Sequence, residues 1–70
     1  MERDPWIGKK VIDLDRGRRL GIVAETERDR EDRLWSVTVP TAEGGLRIPW
    51  TCIEYAGEDF IIVRLPGRRR

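Results

Sequence analysis

Few residues in this chain are suited to covalent or proton chemistry. Cys52 is the single cysteine and histidine is absent, so the thiol has no imidazole to deprotonate it. Its neighbours Thr51 and Ile53 supply no base, and no helix N-terminus is predicted there, so Cys52 reads as a small buried apolar residue. One cysteine excludes an internal disulfide, and a structural zinc site lacks ligands. The carboxylate pairs Glu31-Asp32 and Glu58-Asp59 have the composition of a catalytic dyad or a calcium site. Both fall in predicted turns, where water screens them, and both read as solvated turns. The expectation is a non-enzymatic protein with no cofactor, no metal and no small-molecule substrate.

Cationic groups are the more distinctive feature. Arginine outnumbers lysine twelve to two, and asparagine and glutamine are absent. That composition favours ion-pair networks and avoids labile amides, the pattern of some thermophilic proteins. The net charge is +1; subtracting the three charges of Arg68, Arg69 and Arg70 leaves the rest of the chain at −2, so any basic patch is local. The candidate anion-binding residues are Arg18, Arg19, Arg68, Arg69 and Arg70. Lys9, Lys10 and Arg16 extend the first group across a hairpin, with Asp13 and Asp15 expected to neutralise part of it. Such groups suit phosphates of RNA or an anionic membrane face, although a plain solubilising tail needs no partner at all. Base stacking requires exposed aromatic rings, and the five aromatics of so small a chain are mostly needed inside.

The elements that must position these groups are strands. Glycine and proline recur every ten residues or so, the punctuation of an all-β domain, and no repeat or low-complexity tract interrupts it. Val11 to Leu14 is a β-branched run closing at the turn Asp15 to Arg18. Leu20 to Glu27 returns, with Leu20, Ile22 and Ala24 on one face and Gly21, Val23 and Glu25 on the other; Gly21 marks a bulge or a close backbone approach. Six consecutive charges, Arg28 to Arg33, make a solvated hairpin loop with a mobile tip. Leu34 to Val39 alternates so that Trp35, Val37 and Val39 face the core and Ser36 and Thr38 face out, until Pro40 ends the ladder. Leu46, Ile48 and Trp50 share the next face, with Pro49 at an edge or strand end and a short turn at Trp50-Thr51. Cys52 to Tyr55 is a brief strand, Ala56 to Asp59 a turn, and Phe60 to Leu65 the most continuous apolar strand.

Five to six short antiparallel strands in about 60 residues suit a small barrel or a pair of bent sheets, within a single domain. The division is an extension over 1–5, a folded domain over 6–66 and a basic tail over 67–70. A core this small nearly cancels against conformational entropy, so association is the expected remedy, as a homodimer or with a paralogue. The candidate contacts are Trp6, Trp35, Phe60 and Ile62: Trp6 precedes the first strand, tryptophan dominates interfaces, and a strand apolar on both faces needs cover on both. Trp35 and Trp50 are also the alternation's candidates for the core. No apolar run approaches membrane-spanning length and the acidic start is unlike an export signal, so a soluble cytoplasmic protein is expected.

Four segments in order, Trp6-Ile7-Gly8-Lys9-Lys10-Val11-Ile12-Asp13, Gly17-Arg18-Arg19-Leu20-Gly21-Ile22-Val23, Ile48-Pro49-Trp50 and Ala56-Gly57-Glu58-Asp59-Phe60-Ile61-Ile62-Val63, resemble the PRC-barrel family. The resemblance covers Trp6 to Leu65 and implies a small PRC-barrel-like β-barrel that acts in binding and assembly. Its stand-alone archaeal members look like dimeric adaptors of FtsZ-based cell division that engage a membrane-anchored partner, which would recruit the protein to the membrane or division site. Another branch implies a ribosome-maturation or RNA-binding accessory role, the alternative reading here.

Overall fold

The structure is a computed structural model that describes residues 4–66. The tail arginines Arg68, Arg69 and Arg70 lie outside the described residues. Seven strands form: β1 (Lys10–Asp13), β2 (Arg18–Ile22), β3 (Glu25–Arg28), β4 (Leu34–Thr41), β5 (Gly44–Pro49), β6 (Ile53–Ala56) and β7 (Phe60–Val63), with one 3-10 turn at Trp50–Cys52. The all-β expectation holds. The count is higher than expected because the return run from Leu20 to Glu27 breaks at Val23-Ala24 into two strands.

Two sheets result, one ordered β2-β1-β7-β6 and the other β3-β4-β5. All pairings are antiparallel except β1 with β7, which run parallel in the register Lys10 to Phe60 through Asp13 to Val63. This corrects the wholly antiparallel expectation. Parallel neighbours cannot be joined by a tight turn, and here the whole intervening chain serves as the connection. The two sheets meet where β2 hands over to β3: the Val23 N–H donates to the Lys9 carbonyl (3.0 Å) and the Ala24 N–H to the Thr38 carbonyl (2.9 Å).

The inner faces supply a core of Val11, Val23, Val37, Val39, Ile48, Ile61 and Val63, each at most 1% exposed. Burying each such side chain contributes about 1.5–3 kcal/mol. Trp6, Leu20, Leu34, Leu46, Cys52, Ile53 and Leu65 pack around it, so Cys52 occupies an apolar setting.

Register shifts decide which side chains face in. In β1–β2, Val11 pairs with Gly21 but Ile12 with Arg19, so Leu20 is the extra residue of a bulge. Gly21 sits there at φ 149, and a Cβ on it would lie 2.6 Å from Val39 Cγ1, so the close approach expected of this glycine is real. In β3–β4, Glu27 pairs with Ser36 but Arg28 with Leu34, which makes Trp35 the extra residue. The bulge reverses the alternation: Leu34 packs inward, whereas Trp35 turns outward and is 56% exposed, contrary to its expected core position. Ser36, expected to face out, is buried between its cross-strand neighbours Glu27 and Pro49, and its hydroxyl donates to Glu27 Oε1 at 3.0 Å. Pro40 does not end β4; the strand runs on to Thr41 before turning into β5. Pro49 does end β5, as expected.

Candidate functional site

The region with the strongest claim to function is an apolar face built by three irregularities of the backbone. The first is an arm before β1. Asp4 Oδ1 accepts the Trp6 N–H (2.9 Å) and the Arg28 guanidinium (3.1 Å), while Oδ2 accepts the Thr26 hydroxyl at 2.6 Å. This latch ties the arm to β3 and holds Trp6 half-buried against the core. Burial pushes the Asp4 carboxyl up, but the Thr26, Trp6 and Arg28 donors outweigh it and hold the group below its ordinary value.

The second is the β4 bulge, which presents Trp35. The third is the turn after Pro49, where the chain leaves the extended conformation and carries Trp50 out of the core, 51% exposed. Trp50 had been expected inside with Leu46 and Ile48; Ile48 is buried and Leu46 half-buried, but the alternation stops at Pro49.

Together these place Trp6, Leu34, Trp50 and Ile53 around an apolar pocket of about 200 Å3. A second depression of about 380 Å3 shares Leu34 and Trp50 with it and is completed by Trp35, Asp29 and Arg33. The charged rim is organised by Asp29, whose Oδ1 accepts the N–H groups of Glu31 and Arg33, each at 2.9 Å. The Arg33 N–H, with lesser help from that of Glu31 and the Arg33 charge, keeps the Asp29 carboxyl below its usual range. The Arg33 guanidinium also pairs with Glu31. The six-charge loop is therefore solvated, as expected, yet cross-braced at its tip.

Phe60 and Ile62 do not join this face. They lie half-buried on β7, in the other sheet, alternating with the core residues Ile61 and Val63. Phe60 stacks at 5.8 Å between ring centroids with Tyr55, which is itself exposed and was not expected as a contact. Of the candidate contacts, the structure brings together Trp6 and Trp35 by way of Leu34 and Trp50.

Arg18 and Arg19 are exposed on β2, and with Arg16 they line a separate groove that also contains Leu20, Leu46 and Leu65. The basic cluster differs from expectation in two ways. Lys9 turns away and donates to the Gly57 and Glu58 carbonyls. Among the described residues Asp13 and Asp15 form no ion pair with Arg16, Arg18 or Arg19: Asp13, opposite Arg18, is buried, its Oδ1 accepting the N–H groups of Asp15 (3.0 Å) and Arg16 (3.3 Å), and Asp15 pairs with Arg64 at 3.0 Å.

Among the described residues no group of three or more metal-ligating side chains converges, and no buried side-chain polar atom lacks a partner. No helix of the described residues is long and apolar enough to cross a membrane. No protein-family model matches the chain. The chain is similar to the Uncharacterized protein YmxH of Bacillus subtilis (strain 168), with 27% identity over 70 residues covering 84% of this chain and 82% of that protein. At that identity the likeness marks a distant relative of comparable length and brings no activity with it.

Proposed function

We propose that the protein is a non-enzymatic interaction module that self-associates through its tryptophan face and serves as an adaptor in a larger protein assembly. One observation carries this reading: Trp35 and Trp50 are each more than half exposed beside an apolar pocket. A small domain that turns two indoles to water forgoes burial it needs for stability, and tryptophan recovers that energy at an interface. The arrangement is self-complementary in kind. Trp35 of one copy is a knob, and the pocket of Trp6, Leu34, Trp50 and Ile53 on a second copy is a hole, as a two-fold contact requires.

The PRC-barrel resemblance gives the proposal its most concrete setting, with the two sheets joined at β2–β3 read as an opened barrel of that type. An adaptor of FtsZ-based division, acting in the cytoplasm and recruited by a membrane-anchored partner, is the role that resemblance implies. The RNA alternative rests on the tail arginines Arg68, Arg69 and Arg70 together with Arg18 and Arg19, and the groove of the latter, shared with Arg16, contains no aromatic ring on which a base could stack.

The test is co-capture of two differently tagged copies. Wild-type copies should retain each other, and Trp35→Ala in both should abolish retention while leaving the thermal melt of each copy in place. Retention unchanged by Trp35→Ala would refute this interface.

A further inference from the structure

The groove lined by Arg16, Arg18 and Arg19 is a charged surface that the tryptophan face does not use. It has a volume of about 510 Å3 and lies between the β1–β2 turn and the β4–β5 turn, with Leu20, Leu46 and Leu65 as apolar lining. Neither nearby acid forms an ion pair with these arginines: Asp13, the cross-strand partner of Arg18, is buried with its carboxylate on the Asp15 and Arg16 N–H groups, and Asp15 pairs with Arg64. Among the described residues no ion pair occupies Arg16, Arg18 or Arg19, and Glu43 is the one acid in the lining.

We infer that this groove binds an acidic peptide segment of a partner protein, one that alternates carboxylates with an aliphatic side chain. Guanidinium groups meet carboxylates in a bidentate fork and shed water more readily than ammonium groups do, which suits them to this contact. The leucines are half-buried against the core, and their exposed parts offer contact to an apolar group that a nucleic-acid backbone lacks and an acidic, leucine-bearing peptide carries. The protein's own tail is no candidate occupant, since Arg68, Arg69 and Arg70 carry the same sign as the groove.

The experiment is fluorescence polarisation of the full chain with a labelled peptide, Glu-Asp-Glu-Leu-Glu-Asp-Leu-Glu, and with its counterpart in which every acid is replaced by the matching amide. The acidic peptide should bind saturably and the amide peptide at least about ten-fold more weakly. The Arg18→Glu/Arg19→Glu variant should weaken the acidic peptide by about ten-fold or more, and a folded far-ultraviolet spectrum will confirm that the exposed changes leave the strands intact. Leu46→Ser should weaken it too. Trp35→Ala should leave it unchanged, which separates this groove from the self-association face. The inference is overturned if the acidic peptide does not bind, or if charge reversal leaves its affinity unaltered. It is equally overturned if removal of residues 67–70 alone abolishes binding, or if poly(U) RNA or phosphatidylglycerol vesicles bind more tightly at the same arginines.

Discussion

Gly21→Ala tests the way the two sheets lock together. Gly21 holds φ at 149, a conformation that strains any residue with a side chain, at a cost of about 1–3 kcal/mol. The added Cβ would also lie 2.6 Å from Val39 Cγ1 and 3.4 Å from the Pro40 carbonyl oxygen. Val39 is fully buried and β-branched, so it cannot swing aside, and the overpacking adds about 1–3 kcal/mol. The sum, about 2–6 kcal/mol, is a large share of the roughly 4–10 kcal/mol expected for a domain of this size. Gly17→Ala is the control: its φ of 63 strains alanine by about 1 kcal/mol, but a Cβ there meets nothing within 4 Å. Urea titration followed by circular dichroism should put Gly21→Ala at least about 1 kcal/mol below Gly17→Ala, and the melting temperature should fall by roughly 8 °C or more from wild type. Equal losses in the two variants would refute the close β2–β4 contact.

Asp4 makes stability depend on acid. Its carboxyl is held below the ordinary 3.8 in the folded state, so its stabilisation is present above the unfolded value and is lost as pH falls through it toward the folded one. Urea midpoints should therefore show Asp4→Asn less stable than wild type near neutrality, with the gap narrowing as pH falls below about 5; a gap independent of pH would contradict the latch. Asp13→Ala should lower stability by about 1–3 kcal/mol in thermal melts, because it leaves the Asp15 and Arg16 N–H groups without their shared acceptor. Ile61→Ala, at a fully buried position, should cost about 2–5 kcal/mol by urea titration, whereas Ile22→Ala, half exposed at the end of β2, should cost under about 1.

The strands are legible because their side chains alternate and because glycine, proline and runs of charge mark their ends; Asp15 to Gly17, Asp29 to Arg33 and Gly57 to Asp59 are turns or loops in the structure, while Arg18, Arg28 and Ala56, expected in those turns, are strand ends. The sites where that reading failed share a cause. Alternation assumes unbroken pairing, and the bulges at Leu20 and Trp35 depend on a partner strand that the local sequence does not reveal. The bulge adds one residue to the strand, which is why Trp35 turns outward and Leu34 inward while Val37 and Val39 keep their expected places; Ser36 stays on the Glu27 side and is buried by its cross-strand neighbours. The exposure of Trp50 has a signal in the sequence, since Pro49 lacks the N–H to continue a ladder and the turn that follows it rotates the indole out of the alternation. The parallel β1–β7 pairing joins the two ends of the domain and leaves no local trace. That no ion pair holds Arg16, Arg18 or Arg19 among the described residues follows from the turn geometry that takes Asp13 inward and from the Arg64–Asp15 pair between residues far apart in the chain.

Self-association through the tryptophan face is tested most directly by sedimentation velocity of wild type and Trp35→Ala over a concentration series reaching high micromolar. Wild type should move from monomer toward dimer mass as concentration rises, and Trp35→Ala should remain monomeric with an unchanged melting temperature at low concentration. A wild type that stays monomeric throughout, or a Trp35→Ala variant that dimerises equally well, would contradict it.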